Sequence, residues 1–143
     1  MWLTTTHGFF SAVEHWDDMT SVVVRARDID DLYHVVEAID AKWGHKPTVF
    51  HTPKNDYPWR ITILKTEWAA YVADEAANIN YPNFKNAVRE RQSKEREGIY
   101  HNVWFALQEI ERYDRSLRGS GRWLTDRTTV ADEGWDDEAA LGE

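Results

Sequence analysis

Runs of β-branched and aromatic residues, which favour strands, occur twice near the start of the chain. The first run extends from Gly8 to His15 and the second from Ser21 to Arg27, with residues 16–20 between them. Two strand-forming runs joined by so short a connection predict a β-hairpin.

A second hairpin is predicted between residues 48 and 64. Residues 48–52 have the composition of a short strand, and residues 53–58, which begin and end with proline, are typical of a turn. Trp59, Ile61 and Ile63 then occupy every second position, so they share one face of a strand. We expect the two hairpins to pair into a four-stranded antiparallel sheet.

Helical spacing of apolar residues begins directly after the first hairpin. Asp28 is a residue type that caps helix N-termini, and Gly44 is one that ends helices in a left-handed conformation. Between them the apolar residues recur at intervals of three or four: Ile29, Leu32, Val36, Ile39 and Trp43. The pattern predicts a helix over residues 29–43.

Three more helices are predicted in the second half of the chain. One is capped by Thr66, and the next begins at Pro82, a favourable first helical residue. The mixed charges of residues 89–97 indicate a solvated helical stretch, and the last helix runs to about Arg115, with a kink or restart at Gly98 as an open alternative. The order β-β-α-β-β-α-α-α, with the helices packed on one face of the sheet, defines an α+β fold.

Acidic residues are concentrated at the end of the chain. The 143 residues carry 25 Asp and Glu against 17 Lys and Arg, a formal charge of −8 at pH 7. Six of the acids follow Arg127, the last basic residue: Asp132, Glu133, Asp136, Asp137, Glu138 and Glu143. Without residues 132–143 the formal charge is −2. We expect one α+β domain over residues 1–117 and a flexible tail over residues 118–143, in which Arg and Gly precede an acidic end.

The composition excludes several classes of protein. The absence of cysteine excludes disulfide scaffolds and thiolate metal sites. No apolar run approaches the ~20 residues of a membrane-spanning helix, and the N-terminus lacks the basic and apolar regions of a signal peptide. We therefore expect a cytoplasmic protein that does not associate with membranes.

Motifs for metal and cofactor chemistry are missing from the sequence. The chain contains neither of the glycine-rich phosphate loops G-x-x-x-x-G-K and G-x-G-x-x-G, and no G-x-S-x-G elbow. Its six histidines lack the i,i+4 or His-x-His spacing that brings two imidazoles to one ion. We expect neither a metal nor a cofactor.

Four strings of residues occur together in one order over about residues 1–110. They are Met1-Trp2-Leu3-Thr4 with Gly8-Phe9 and Ser11, Val24-Arg25-Ala26-Arg27, Thr52-Pro53 with Asp56-Tyr57 and Arg60, and Tyr81 with Asn83-Phe84-Lys85 followed by Tyr100-His101 and Val103-Trp104. As a set they resemble a family of small uncharacterised proteins of bacteria, mainly actinobacteria, and their phages. The resemblance implies a phage or prophage origin and no particular activity, and it does not extend to the tail.

The turn from Asp56 to Arg60 is the first candidate ligand site. Its Asp56, Tyr57 and Arg60 would present a carboxylate, a phenol and a guanidinium to a small polar ligand. The structural alternative is a turn capped by Asp56 in which Arg60 pairs with that aspartate across the hairpin.

Two arginines of the first hairpin are a second candidate. Arg25 and Arg27 share one face of their strand, whereas Val22, Val24 and Ala26 share the other. Such a pair would bind phosphate or carboxylate groups through two parallel hydrogen bonds. The structural alternative pairs them with Glu14 across the hairpin.

Later helices supply further candidates. Asn83 and Lys85 lie at a helix N-terminus, where free backbone N–H groups would suit an anion; alternatively Phe84 enters the core and Lys85 is solvated. His101 is a candidate acid or base near neutral pH, or else a histidine held by an ordinary hydrogen bond.

The tail is a candidate partner-binding segment. Trp135 lies among acidic residues, as in short linear motifs whose aromatic anchor enters a pocket while the acids meet a basic rim. The partner-binding candidates are Trp123, Trp135, Asp136 and Asp137. The alternative is a tail that only increases solubility.

These observations favour a non-enzymatic binding or regulatory protein that acts through protein–protein contacts. Eight tryptophans exceed what a core of this size needs, and surplus tryptophan is typical of interfaces. A homodimer is a further hypothesis. The alternatives are a ligand-binding domain or enzyme whose polar site joins the sheet residues to Lys85 and His101, and a single-stranded nucleic-acid binder or nucleic-acid mimic. The nearly neutral charge outside the tail argues against nucleic acid.

Overall fold

The strand-forming runs of the sequence pair into one antiparallel sheet. The computed structural model describes residues 1–118 of the 143-residue chain. The strands are β1 (Trp2–Thr5), β2 (Gly8–Glu14), β3 (Ser21–Ala26), β4 (Phe50–His51) and β5 (Trp59–Leu64). The helices of this part of the chain are α1 (Ile29–Trp43), α2 (Lys65–Ala77), α3 (Phe84–Arg91), α4 (Lys94–Leu107) and α5 (Glu109–Arg118).

The sheet has five strands in the order β1-β2-β3-β5-β4, and all neighbours are antiparallel. The prediction of an α+β fold with an antiparallel sheet is confirmed, but the predicted number of four strands is wrong because β1 is an additional edge strand. β1 pairs with β2 across a two-residue connection, with Thr5 opposite Gly8. Its four residues include two threonines, so its alternation is too short to be recognised in the sequence.

The second hairpin is present, with a shorter first strand than predicted. Residues 48–52 were expected to form that strand, and only Phe50 and His51 do. They pair with Arg60 and Trp59 of β5, and the rings of His51 and Trp59 stack with their centroids 4.0 Å apart.

The core of the first half of the chain lies between one face of the sheet and two helices, α1 and α2. The strand residues predicted to share a face enter it: Val22, Val24, Ala26, Ile61 and Ile63. The helices contribute Leu32, Val35, Val36, Ile39, Trp68 and Tyr71. α1 has its predicted bounds, since Asp28 accepts a hydrogen bond from the Asp30 N–H and Gly44 ends the helix at a φ of 73°.

A buried carboxylate, rather than the predicted Thr66 cap, closes the N-terminus of α2. The helix begins at Lys65, and the Leu64 N–H donates to the carboxylate of Glu67 at 2.8 Å. The same carboxylate contacts Nε2 of His45. Only 5% of Glu67 is exposed, so these two partners replace the water that the acid loses.

The boundaries of the later helices also differ from the prediction. α3 begins after Asn83, whose Oδ1 accepts a hydrogen bond from the Asn86 N–H at 3.1 Å. Ser93 caps α4 in the same way, so the predicted helical stretch over residues 89–97 is interrupted before Ser93. Gly98, where a kink or restart was an alternative, lies inside the continuous α4.

These elements divide into two compact units, residues 1–81 and the part of the chain from Pro82 onward. Whether residues 1–117 form one domain stays a prediction, and the predicted tail begins where the described residues end. Within residues 1–118, no helix has the length and the apolar character needed to cross a membrane.

Gly8 and Gly98 provide a test of this packing. A Cβ atom at Gly8 would lie 2.6 Å from Cγ of Asp31, whereas one at Gly98 would meet no atom within 4 Å. We predict that Gly8→Ala lowers the free energy of unfolding by about 1–3 kcal/mol through steric overlap. Gly98→Ala should raise the free energy of unfolding by about 0.5–1 kcal/mol, because alanine favours the helix and restricts the unfolded chain. Urea denaturation measures both changes, and destabilisation by Gly98→Ala would contradict the continuous α4.

The connection between β2 and β3 is organised by Asp18. Its carboxylate accepts hydrogen bonds from the Ser21 hydroxyl at 2.6 Å, the Thr20 hydroxyl at 2.6 Å and the Thr20 N–H at 2.9 Å. These bonds, that of Ser21 foremost, lower the pKa of Asp18 from 3.8 to about 2. The hydrogen bonds of the turn therefore favour the ionised carboxylate of Asp18.

We predict that the stability contributed by Asp18 is complete above pH 3.8 and is lost as the pH falls through about 2. A carboxyl carbon NMR titration should place the midpoint of Asp18 near pH 2. Asp18→Asn should abolish the Asp18 part of this acid dependence. A midpoint of Asp18 at its ordinary value would contradict the hydrogen-bonded turn.

Candidate functional site

The face of the sheet opposite α1 and α2 carries a cluster of arginines. Alternation along the strands places Ser11, Arg25 and Arg60 on this face, because their neighbours Ala12, Val24 and Ile61 enter the core. The register puts Arg25 directly opposite Ser11 on β2 and opposite Arg60 on β5. We call this surface the arginine face.

Tyr57 organises the arginine face from the turn before β5. Its ring centroid lies 5.0 Å from Cζ of Arg25 and 4.6 Å from Cζ of Arg27. Its carbonyl oxygen accepts a hydrogen bond from Nη2 of Arg60 at 3.2 Å. Tyr57 is only 4% exposed, so one buried residue holds three guanidinium groups in place.

The hydrogen bonds of the three arginines end on neutral oxygens. Nη2 of Arg25 donates to Oγ of Ser11 at 2.7 Å, and Nη1 of Arg27 donates to the carbonyl oxygen of Asp56 at 2.7 Å. The Nε atoms of Arg25 and Arg60 are buried and have no hydrogen-bond partner in the described structure. Guanidinium donors that are held in place but not neutralised are suited to binding an anion.

The structure replaces both predicted ion pairs of these arginines with other contacts. Glu14 lies three residues beyond Ser11 on β2, so its side chain is on the opposite face from Arg25, and it pairs with Lys65 at 2.6 Å. Asp56 accepts a hydrogen bond from the Tyr57 N–H at 3.0 Å, while Arg60 binds the Tyr57 carbonyl. The structural alternatives named Arg25–Glu14 and Arg60–Asp56 pairs, and neither is formed among the described residues.

A row of aromatic rings continues the arginine face toward the edge of the sheet. Phe9 stacks against Tyr57 with centroids 6.4 Å apart, and Trp2 meets Phe9 edge-on at 5.7 Å. Trp2 is 74% exposed at the edge strand β1. Sequence reasoning did not assign Trp2, Phe9 or Ser11 to the site. The signal for Phe9 and Ser11 was their alternation with Phe10 and Ala12, whereas Trp2 required the unpredicted β1.

The three arginines stand out against the charge of their own unit. Residues 1–81 contain seven Lys and Arg against twelve Asp and Glu, a formal charge of −5. Many of these acids belong to α1 and α2, on the other side of the sheet. Arg25, Arg27 and Arg60, three of the seven basic residues, therefore cluster on a unit of net negative charge.

The candidates in the second unit form a different cluster. Nζ of Lys85 lies 3.4 Å from Nδ1 of His101 and 5.1 Å from the ring centroid of Trp104. Asn83 caps α3 with its own side chain, and Phe84 stacks on Tyr100 at 5.9 Å. The side chains at the start of α3 thus cap the helix and pack it against α4.

An ion pair joins α3 to α4 beside this cluster. Nε of Arg89 donates to the carboxylate of Glu97 at 2.8 Å, and this hydrogen bond lowers the pKa of Glu97. The charges of Lys85 and His101 act on Glu97 in the same direction.

The predicted site residues therefore fall into two groups. Arg25, Arg27, Asp56, Tyr57 and Arg60 come together within the first unit, and Asn83, Lys85 and His101 belong to the second. Each group is formed by contacts inside its own unit. The predicted partner-binding residues Trp123, Trp135, Asp136 and Asp137 lie outside the described residues.

Histidines and acids also meet near the start of β2. Nδ1 of His7 lies 3.0 Å from both carboxylate oxygens of Glu75, and the rings of His7 and His34 are 5.0 Å apart. In residues 1–118, no group of three or more histidine, aspartate or glutamate side chains is arranged to hold a metal ion.

Comparison of the chain with protein-family models, curated proteins and solved structures gave no match. The resemblance to small actinobacterial and phage proteins stays a prediction. The interpretation of the arginine face consequently depends on its geometry and charge.

Truncation of Tyr57 tests its role in the site. We predict that Tyr57→Ala lowers the free energy of unfolding by about 3 kcal/mol, since it removes a buried aromatic ring and the support of two guanidinium groups. Tyr33→Ala removes the same side chain from a position that is 44% exposed and should cost less than about 1 kcal/mol. Urea denaturation compares the two. Equal losses would contradict the central position of Tyr57.

Proposed function

We propose that the protein is a non-enzymatic binding protein whose arginine face takes up an acidic segment of a protein partner. The observation that carries this proposal is the arrangement of Arg25, Arg27 and Arg60 around the buried Tyr57, with every described hydrogen bond of the three ending on a neutral oxygen. Carboxylates of the partner would pair with these guanidinium groups.

Arginine is the residue best suited to this task. Its planar guanidinium donates two parallel hydrogen bonds to a carboxylate and loses little conformational freedom when it is already held in place. Contacts to Tyr57 and Ser11 hold Arg25, so part of the entropy cost of binding is met during folding.

The aromatic row favours a peptide over a free small anion. Phe9, which stacks on Tyr57, and the 74%-exposed Trp2, which meets Phe9 edge-on, would provide apolar contact area for the residues that flank an acid. Tryptophan, tyrosine and arginine are the residue types most enriched among the residues that dominate binding energy at protein interfaces. The arginine face combines all three.

Charge argues for a protein partner over a nucleic acid. Aromatic rings and arginines on a sheet are also used by proteins that bind single strands, and this is the specific observation in favour of that alternative. Affinity for a phosphate backbone, however, depends on accumulated positive charge, and residues 1–81 carry a formal charge of −5. Three local arginines suit a few carboxylates better than a long polyanion.

Binding is also better supported than catalysis by the described side chains. The arginines donate hydrogen bonds and supply positive charge, while the Asp56 carboxylate is engaged by the Tyr57 N–H. Lys85, a predicted anion-binding residue, and His101, the predicted acid or base, make their contacts within the second unit. The chemistry present at the arginine face is recognition of negative charge.

A direct binding measurement tests the proposal. The probe is a short fluorescein-labelled peptide of glutamates with a central tryptophan, titrated with the full-length protein by fluorescence anisotropy. We predict that Arg27→Gln weakens binding about 10-fold, the effect of losing one charge-assisted hydrogen bond. Added salt should weaken the wild-type complex, because the contacts are partly exposed. Lys46→Gln removes the same charge from an exposed position after α1 and should leave binding unchanged.

Two controls separate this function from its alternatives. A peptide with glutamine in place of every glutamate should not bind, and equal affinity for it would refute recognition of carboxylates. Replacing the peptide with a labelled oligothymidylate tests the nucleic-acid alternative. Tighter binding of the oligonucleotide, with the same sensitivity to Arg27→Gln, would overturn the proposal in favour of a single-strand binder.

A further inference from the structure

The arginines and the lysines of the first unit differ in their partners. Three of the four lysines in residues 1–81 form ion pairs: Lys42 with Asp74, Lys46 with Asp40 and Lys65 with Glu14. Among residues 1–118, no described ion pair includes Arg25, Arg27 or Arg60, whose hydrogen bonds end on a hydroxyl and two carbonyl oxygens. The first unit therefore pairs most of its lysines with its own acids, and its arginine face is not paired in this way.

The aspartates next to these arginines make contacts with backbone groups. Asp28 follows Arg27 in the sequence and accepts a hydrogen bond from the Asp30 N–H at 3.1 Å, which caps α1. Asp56 accepts a hydrogen bond from the Tyr57 N–H at 3.0 Å. Neither contact pairs a carboxylate with a guanidinium group, so the negative charge that meets the arginine face would come from a ligand.

The three arginines approach one region from different positions of the sheet. Arg25 and Arg60 are directly opposite each other on β3 and β5, where Cα atoms are about 5 Å apart. Arg27 lies two residues further along the chain than Arg25. The Cζ atoms of Arg25 and Arg27 are nevertheless both within 5.0 Å of the centroid of the Tyr57 ring. The three residues mark a triangle around this ring rather than a line.

A phosphate ester matches this arrangement better than a single carboxylate does. A carboxylate has two oxygens in one plane and one negative charge, so one guanidinium group can satisfy it through two parallel hydrogen bonds. A phosphomonoester has three acceptor oxygens around a tetrahedral centre and a charge of about −1.5 to −2 at pH 7. Guanidinium groups that come from three positions can each bond a different oxygen of such a group.

We infer that the acidic segment bound by the arginine face carries a phosphorylated side chain, whose phosphate lies among Arg25, Arg27 and Arg60. The inference rests on the proposed function, since it names the group that the face recognises within the segment. Other residues of the segment would contact the half-buried Phe9 and the exposed Trp2 at the margin of the face.

Ionisation of the ligand separates a phosphomonoester from the other anions. Its second pKa is about 6, so the dianion forms between pH 5 and pH 7. Glutamate side chains of a peptide are largely ionised over this range, and each phosphodiester of a nucleic acid keeps a single charge. Binding of a phosphorylated segment should therefore strengthen as the pH rises from 5 to 7, whereas binding of the other two ligands lacks this contribution.

Fluorescence anisotropy with the full-length protein and matched labelled peptides tests the inference. The probe is the glutamate peptide with a central tryptophan, in which phosphoserine replaces one glutamate beside the tryptophan, and the parent peptide is the reference. At pH 7.5 we expect the phosphoserine peptide to bind about 10-fold more tightly, because it adds charge-assisted hydrogen bonds. At pH 5 the advantage should fall below about 3-fold as the phosphate loses its second charge.

Neutral variants locate the phosphate on the protein. Arg27→Gln and Arg60→Gln should each remove most of the advantage of the phosphoserine peptide. Lys46→Gln removes the same charge from an exposed position after α1 and should keep the advantage. Circular dichroism shows whether the variants are folded, and Arg27→Gln, a change at an exposed position, decides the matter if Arg60→Gln unfolds the protein.

Three results would overturn the inference. They are equal affinity for the phosphoserine and parent peptides at pH 7.5, an advantage that Arg27→Gln leaves intact, and displacement of the probe by inorganic phosphate as effectively as by the unlabelled phosphoserine peptide. The third result would assign the site to the free anion. Equal binding of the two peptides would leave the proposed function standing, whereas absence of binding by both would refute the proposed function together with the inference.

Discussion

The pairing of β3 with β5 is the constraint on which the rest of the sheet unit depends. It places Val24 opposite Ile61 in the core and, at the next position, Arg25 opposite Arg60 on the other face. Like charges directly opposite each other destabilise a sheet, so this register needs compensation. Tyr57 provides it, since its ring contacts Arg25 and its carbonyl binds Arg60. A shift of one residue would exchange the two faces, burying arginines and exposing the core. The core and the arginine face are thus two consequences of one register.

The sequence predicted a helix well where its capping residues and the spacing of its apolar residues indicated the same bounds. This was so for α1, which lies between Asp28 and Gly44. The sequence was less informative about where α4 begins. A kink or restart at Gly98 was one alternative, but Ser93 carries the stronger local signal because its hydroxyl caps α4. In the charged stretch of residues 89–97, apolar periodicity is too weak to choose between Ser93 and Gly98 as the point of interruption. β1 was missed for a related reason, since its order comes from pairing with β2 rather than from its own four residues.

The candidate site was predicted in part. Alternation along β3 was sufficient to place Arg25 away from the core, and turn chemistry singled out Asp56, Tyr57 and Arg60. The choice of partners was not predictable, because it depends on long-range register: Ser11 lies opposite Arg25, whereas Glu14 lies on the other face. The expectation of one polar site that also includes Lys85 and His101 required knowledge of which elements pack together, and composition carries no such information.

The unpaired Nε atoms of Arg25 and Arg60 connect stability to function. A buried donor without a partner costs about 1–3 kcal/mol, so the Nε atoms of these arginines lower the free energy of unfolding. An apolar residue would avoid that cost, yet it would also remove the charge that a carboxylate can meet. A ligand that bound only the folded state would stabilise that state by mass action.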